Sequence, residues 1–219
     1  MQKRIEVSAE KSNRSPADIT LIGVTKKFPV AAIESAVSAK IMTVGESRVS
    51  ETEKKIIFLN NRKSIEIHMI GHLQSNKAKK AIRLYDVIQT VDSTKLAKKI
   101  SSLAREKGIV QRVYLQVNSG EDPLKYGFSK KMIIPASLEI SQLSHLKIEG
   151  LMMIPPYIEM DEHYRSIYRQ TRKLRDQIVD AGISSCTNLS MGMSRDFELA
   201  VEEGATHIRI GTALFGERK

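Results

Sequence analysis

Eight short apolar runs recur along the chain, each followed by a stretch whose apolar residues repeat at helical spacing. The runs are Ile19–Lys26 (ITLIGVTK), Ile41–Glu46 (IMTVGE), Ile65–Gly71 (IEIHMIG), Val87–Asp92 (VIQTVD), Arg112–Asn118 (RVYLQVN), Lys147–Ile154 (KIEGLMMI), Asn188–Met193 (NLSMGM) and His207–Thr212 (HIRIGT). They are β-branched and mostly apolar, as parallel strands buried on both faces require. The intervening periodicity predicts helices over Val30–Ala39, Ser47–Leu59, Asn76–Leu84, Thr94–Lys107, Ser129–Leu143, Glu159–Ala181 and Arg195–Glu203, with an extra helix over Gln2–Asn13 ahead of the first strand. Pro29 is placed to start one of these, Ser75 and Ser93 to cap two others, and Gly108, Gly182 and Gly204 to end three of them.

Strands alternating with helices imply a parallel sheet. Eight such units imply a (β/α)8 TIM barrel, an α/β fold, here as a single domain with an extra N-terminal helix; the alternative is an open sheet of six or seven strands. The 219 residues fall a little under the ~250 typical of the barrel and leave no room for a second catalytic domain.

Composition narrows the function. Hydrophobic residues are 41% and charged residues 27%, which supports a packed core and excludes disorder. No run approaches the ~18 apolar residues of a membrane span, and the N-terminus lacks the apolar region of a secretory signal. One cysteine, Cys186, permits no intrachain disulfide and fits a reducing cytoplasm. Lys and Arg number 35 against 25 Asp and Glu, a net +10 that points to an anionic partner. The surplus is local: residues 1–109 hold 21 basic and 11 acidic side chains, and residues 110–219 hold 14 of each. Most of it falls on predicted helix faces. Aromatics are only 5%, without Trp, so the stacking platforms of RNA binders are missing.

In a barrel, chemistry gathers where strands end. Those positions read Lys26, Glu46, His72, Asp92, Asn118, Ile154, Ser194 and Gly211-Thr212. The loops after strands seven and eight, SMGMSRD and RIGTALFG, offer the small residues and hydroxyls of a phosphate cup in Ser194, Gly211 and Thr212, with Gly192 free to take an unusual backbone angle. Lys26 ends an apolar run beside Lys27; desolvation and the second cation would both favour a neutral amine, the form that condenses with an aldehyde. A lysine and a phosphate cup together suit a phosphate-bearing aldehyde, and pyridoxal 5′-phosphate (PLP) is the cofactor that needs both. Arg209 lies two residues before Gly211 on the same strand face, placed either to meet the ring nitrogen or to form an interior ion pair with Glu46 or Asp92. An arginine at the nitrogen would keep the ring unprotonated and weaken it as an electron sink.

The segments VTKKFP, GESRVSE, HMIGHLQSNK, VDSTKLA, LQVNSGEDPLKYGF, EGLMMIP and LSMGMSRDFELAVEEGATHIRIGTALFG, in this order, closely resemble the pyridoxal-phosphate homeostasis protein family, from about Ile5 to Gly216. The resemblance implies the barrel of the alanine racemase N-terminal domain, a Schiff base on Lys26, phosphate contacts from Ser194, Gly211 and Thr212, with Met193 in the same loop, and a ring-nitrogen contact from Arg209. It also places Asn118 and His72 near the pocket and a second lysine, Lys125, at the mouth. Two departures stand out. Ser47 and Arg48 occupy positions where the family usually has Asn and often an aromatic, and the family's VSKTKP reads VTKKFP here, with Phe28 in place of a lysine and Lys27 shifted by one.

The resulting expectation is a cytoplasmic, monomeric carrier that binds, buffers or delivers PLP, with PLP-dependent apo-enzymes as recipients and neither nucleic acid nor membrane as partner. The alternative is a racemase-like enzyme. A two-base racemase needs a second acid/base group, often from another domain, and Arg209 argues against it. Met152, Met153, Met191 and Met193 are expected to pack, Tyr157 to lie on a loop near the pocket, and Cys186 to be inert.

Overall fold

The structure, a computed structural model, describes residues 1–59, 62–157 and 160–217. Its strands are β1 (Thr20–Val24), β2 (Thr43–Glu46), β3 (Glu66–Met69), β4 (Val87–Val91), β5 (Gln111–Gln116), β6 (Leu146–Met152), β7 (Asn188–Met193) and β8 (His207–Ile210). Its helices are α1 (Gln2–Lys11), α2 (Val30–Ser38), α3 (Val49–Ile56), α4 (Ala78–Leu84), α5 (Thr94–Glu106), α6 (Ile133–Ser141), α7 (Asp161–Asp180), α8 (Phe197–Glu202) and α9 (Thr212–Phe215). The strands form a closed barrel in chain order, and every neighbouring pair, including β8 with β1, is parallel. The open-sheet alternative is therefore excluded. No helix among the described residues is long and apolar enough to cross a membrane, and no group of His, Cys, Asp and Glu among them is placed to hold a metal ion.

Local chemistry explains most boundaries. Ser93 Oγ accepts from Leu96 N at 3.3 Å and starts α5. Gly108, Gly182 and Gly204 take left-handed angles just past α5, α7 and α8, where a side chain would be strained. Several strands end earlier than their apolar runs, because the last residues turn into the mouth loops. Helix starts shift more. Helix α3 begins at Val49, two residues late, and α6 at Ile133, four residues late. Gln74, not Ser75, caps a 3-10 turn over Ser75–Lys77 that leads into α4. The expected start of the long helix at Glu159 lies outside the described residues; α7 begins at Asp161.

Apolar packing divides in two. The large cluster lies between sheet and helices, from Ile5 and Ile33 through Ile67, Leu115, Leu151 and Leu189 to Ile210. Inside the barrel, a small cluster of Val87, Tyr114 and Met152 is fully buried, with Ile154 against it. The remaining inward positions, set by strand register and two-residue alternation, are largely polar: Glu66, His68, Gln89, Arg112, Ser190, His207 and Arg209. This departs from the branched apolar layers usual inside such barrels.

The polar interior ties stability to pH. Burial first, and then His68, push the His207 imidazole down to about 3. Glu66 is held at about 2, first by its contact with His68. An unfolded His titrates near ~6.5 and an unfolded Glu near ~4.3, so in both cases the unfolded chain binds the proton first. The His207 contribution is complete above pH ~6.5 and is lost as pH falls toward 3, and the Glu66 contribution is complete above pH ~4.3 and is lost as pH falls toward 2. Denaturant midpoints measured between pH 7 and pH 4 should fall more steeply for the wild type than for His207→Gln; equal slopes would show that His207 carries none of this linkage.

Candidate functional site

The barrel mouth holds a cavity of about 390 Å3 lined by Lys26, Lys125, Tyr157, Met193, Ser194, Arg209, Gly211 and Thr212, among others. Lys26 stands two residues beyond the end of β1. Its backbone is fixed from below: Thr25 Oγ1 donates to Glu46 Oε1 at 2.7 Å, and Lys55 Nζ donates to both Glu46 Oε1 at 2.7 Å and Thr25 O at 2.9 Å. Burial pushes the Glu46 carboxyl up, and Lys55 and Thr25 oppose that shift. The turn closes with Phe28 N donating to Thr25 O at 3.0 Å and Lys27 at φ +64°, a left-handed angle for a non-glycine residue. Lys27 N donates to Glu51 Oε1 at 2.6 Å, and its side chain is exposed and off the cavity, so Lys26 alone of the pair faces inward.

The opposite wall depends on a bulge. Ser190 pairs with His207 and Met193 with Arg209, so β7 spends three residues where β8 spends two. Gly192 absorbs the extra residue at φ +89°; a Cβ there would lie 2.5 Å from Ala200 Cβ and 3.0 Å from Phe197 Cα. The bulge aims Met193 and Ser194 into the mouth. Asp196, the N-cap of α8, then clamps the turn: Met193 N donates to Asp196 Oδ1 at 2.5 Å, and Asp196 N to Met193 O at 3.1 Å. Burial raises the Asp196 carboxyl, opposed first by the Met193 amide and then by the Tyr168 hydroxyl. Across from this turn, Gly211 caps the short helix α9, whose first amides have no acceptor within the helix. The mouth thus presents backbone amides and two hydroxyls from Ser194 and Thr212, a donor-rich wall suited to a phosphate.

Arg209 forms the floor and is 4% exposed. It pairs with neither Glu46 nor Asp92. Glu46 faces the helices and is held by Lys55, and Asp92 Oδ2 lies 3.0 Å from His72 Nδ1. Arg209 Nη2 instead donates to Met153 O at 2.7 Å and Nη1 to Ser190 Oγ at 2.7 Å. The chain continues: Ser190 Oγ donates to Gln89 Oε1 at 2.7 Å, and Gln89 Nε2 meets His68 Nδ1 at 2.7 Å. His68 Nε2 lies 3.3 Å from Glu66 Oε1. Because Ser190 donates to the Gln89 oxygen, the Gln89 amide nitrogen must donate to His68 Nδ1, which leaves the imidazole proton on Nε2. Burial lowers Arg209 to about 10, which keeps it a cation at neutral pH. Each Nη uses one of its two N–H bonds in these contacts, which leaves three guanidinium N–H donors uncommitted.

Two expected pocket residues lie elsewhere. His72 lines a separate cavity with Ser47, Arg48 and Lys77, pairs with Asp92, and stacks on Tyr126 at 3.7 Å between ring centroids. The Asn118 side chain is spent inside its own loop: Nδ2 donates to Asp122 O at 2.7 Å, and Oδ1 accepts from Asp122 N at 3.1 Å. It shapes the loop that carries Lys125 to the cavity and does not line the cavity itself. Tyr157 does line it, with the Arg195 guanidinium 5.6 Å from its ring centroid. Cys186 is fully buried and its thiol is pushed up to about 12 by burial, which makes it unreactive. The sequence reading missed Asp196, Ser190, Gln89 and His68. For the last three a signal existed, since a polar residue alternating into a barrel interior needs a partner there.

The fold and this cavity define a (β/α)8 barrel with a lysine and a buried arginine facing a hydroxyl-and-amide cup. The family model of the alanine racemase N-terminal domain matches residues 9–219. The pyridoxal phosphate homeostasis protein of Aquifex aeolicus (strain VF5) is 38% identical over 217 residues, covering 99% of this chain and 95% of that one. Among solved structures, PipY of Synechococcus elongatus PCC7942 with PLP bound is similar at 36% identity and a TM-score of 0.85, covering 97% of this chain and all of that one. A crystal structure of an unknown protein from Bifidobacterium adolescentis matches at 34% identity and a TM-score of 0.94, covering 98% of this chain and 91% of that one. The chain belongs to the alanine racemase N-terminal domain family and, within it, to the pyridoxal phosphate homeostasis proteins.

Gly192→Ala tests the bulge. Strain at the left-handed angle and the clash with Ala200 should cost ~1–3 kcal/mol by denaturant unfolding; unchanged stability would show that the turn tolerates a side chain.

Proposed function

We propose that the chain binds PLP in the mouth cavity and serves intracellular PLP homeostasis, buffering the cofactor and delivering it to PLP-dependent apo-enzymes. Lys26 would hold the cofactor aldehyde as a Schiff base, Ser194, Gly211 and Thr212 the phosphate, and Arg209 the ring nitrogen. The carrying observation is that these groups, drawn from both ends of the chain, line one cavity. The residues fit the group: about 390 Å3 lies within the range of small-ligand sites, the cup offers amides and hydroxyls to a phosphate, and among the described residues no carboxylate hydrogen-bonds to Arg209. PLP-bound PipY supports the same reading.

Bound PLP supplies an aldehyde for condensation with amines and a conjugated ring that accepts electrons. Arg209, cationic at neutral pH, would keep that ring unprotonated and limit the electron sink. This supports a carrier over a catalyst. In this reading the chain acts as one barrel domain and as a monomer in the cytoplasm, where Cys186 stays reduced. The racemase-like alternative draws on the alanine racemase domain match; turnover of L- to D-alanine that disappears in Lys26→Ala would replace the carrier reading.

Borohydride reduction of PLP-loaded protein, followed by peptide mass spectrometry, should place a pyridoxyl group on Lys26 and none in Lys26→Ala. An adduct confined to Lys125, or none at all, overturns the assignment. Ser194→Ala and Thr212→Val should each weaken PLP binding about tenfold, as loss of a hydrogen bond to a charged group predicts.

A further inference from the structure

Two of the segments that mark this family, GESRVSE and HMIGHLQSNK, contribute little to the Lys26 cavity. They meet instead at a second cavity, of about 330 Å3, at the same end of the barrel. From the first segment come Ser47, Arg48, Val49 and Ser50; from the second, Met69, His72, Leu73, Gln74 and Lys77. The contact is close because Gly71 has no side chain: a Cβ there would fall 2.3 Å from Ser47 O.

We infer that this second cavity is a binding site for a phosphate group, free or carried by a small phosphomonoester. The lining contains Arg48, Lys77 and His72 and no acid. The nearby carboxylates are already committed: Asp92 to His72, and Glu51 to Lys55 and the Lys27 amide. Among the described residues, the side chains of Ser47, Arg48, Ser50, Gln74 and Lys77 form neither hydrogen bonds nor salt bridges of their own. Two cations and three neutral donors therefore face one concavity with their bonding capacity unspent. Met69 and Leu73, 1% and 2% exposed, lie beneath the cavity and close its floor. His72 is held between Asp92 and the Tyr126 ring, so it presents a fixed edge to the cavity. This inference is independent of the PLP reading, since it uses none of the residues of the Lys26 cavity.

The test uses full-length protein whose first cavity has been loaded with PLP and sealed by borohydride, titrated separately with inorganic phosphate and with pyridoxine 5′-phosphate, and with chloride at matched ionic strength. Both phosphates should bind saturably, with amide NMR shifts concentrated at residues 47–50 and 72–77. The Arg48→Ala/Lys77→Ala double variant should weaken binding at least tenfold and leave the yield of the Lys26 adduct unchanged. Tighter binding of the monoester assigns the site to a phosphomonoester; equal binding assigns it to free phosphate. Shifts that chloride reproduces, shifts confined to residues 193–195 and 211–213, or full binding by the double variant overturn the site. If Lys26 gives no adduct, the same titration on Lys26→Ala protein decides the second cavity by its own amides.

Discussion

The pairing of β1 with β8, from Thr20 opposite His207 to Gly23 opposite Ile210, closes the sheet and joins segments some 185 residues apart in sequence. Everything at the mouth follows from that seam. It sets Lys26, just beyond β1, beside Gly211 and Thr212, just beyond β8. No local contact could do this, and the chain pays loop-closure entropy for it. The return comes from the large apolar shell between sheet and helices, which is indifferent to what the strands carry on their inner face.

That indifference explains the polar interior. With cohesion supplied from outside, the inward positions are free to hold Glu66, His68, Gln89, Ser190, His207 and Arg209, provided each finds a partner. Such networks are costly when incomplete and specific when complete. The clamp of Asp196 on Met193 and the cluster of Glu46, Lys55 and Thr25 under Lys26 play the same part at the rim: each fixes the backbone beneath a residue that faces the cavity.

The barrel was legible because periodicity and strand count are local signals: all eight runs became strands, and the Gly-terminated helices ended where the glycines stood. Lys26, Ser194, Arg209, Gly211 and Thr212 were legible because their positions at strand ends, combined with chemistry, restricted what they face. The failures have physical causes. Helix α9 was hidden because Thr212 continues a β-like run, and four residues carry no periodicity. The bulge at Gly192 depends on the α8 packing behind it, which no pattern in β7 reveals. His72 and Asn118 do sit at strand ends, as read, but their bonds to Asp92 and to the Asp122 backbone turn them away from the Lys26 cavity. Arg209 lacks the ion pair weighed as its alternative role because Glu46 lies on the outer face of β2, one residue out of phase with the interior, and Asp92 is taken by His72.

The hydrogen-bond chain behind Arg209 has a fixed polarity. At one end stands a guanidinium, which can only donate; at the other, His68 accepts at Nδ1, and its Nε2 lies 3.3 Å from the Glu66 carboxylate without a hydrogen bond to it. Ser190 and Gln89 between them cannot be reversed without stranding a group at one end. Their dipoles therefore add toward the cation at the upper end, which among the described residues has no hydrogen-bonded carboxylate, although the Asp196 carboxyl attracts it. The barrel acts as an electret, a body with permanent built-in polarisation, whose positive pole opens into the cavity. Salt screens the exposed lysines of the outer helices within ~10 Å, whereas it has little purchase on a pole buried in protein. The field that an anion meets at the mouth therefore includes a contribution from the interior of the barrel that added salt leaves largely in place.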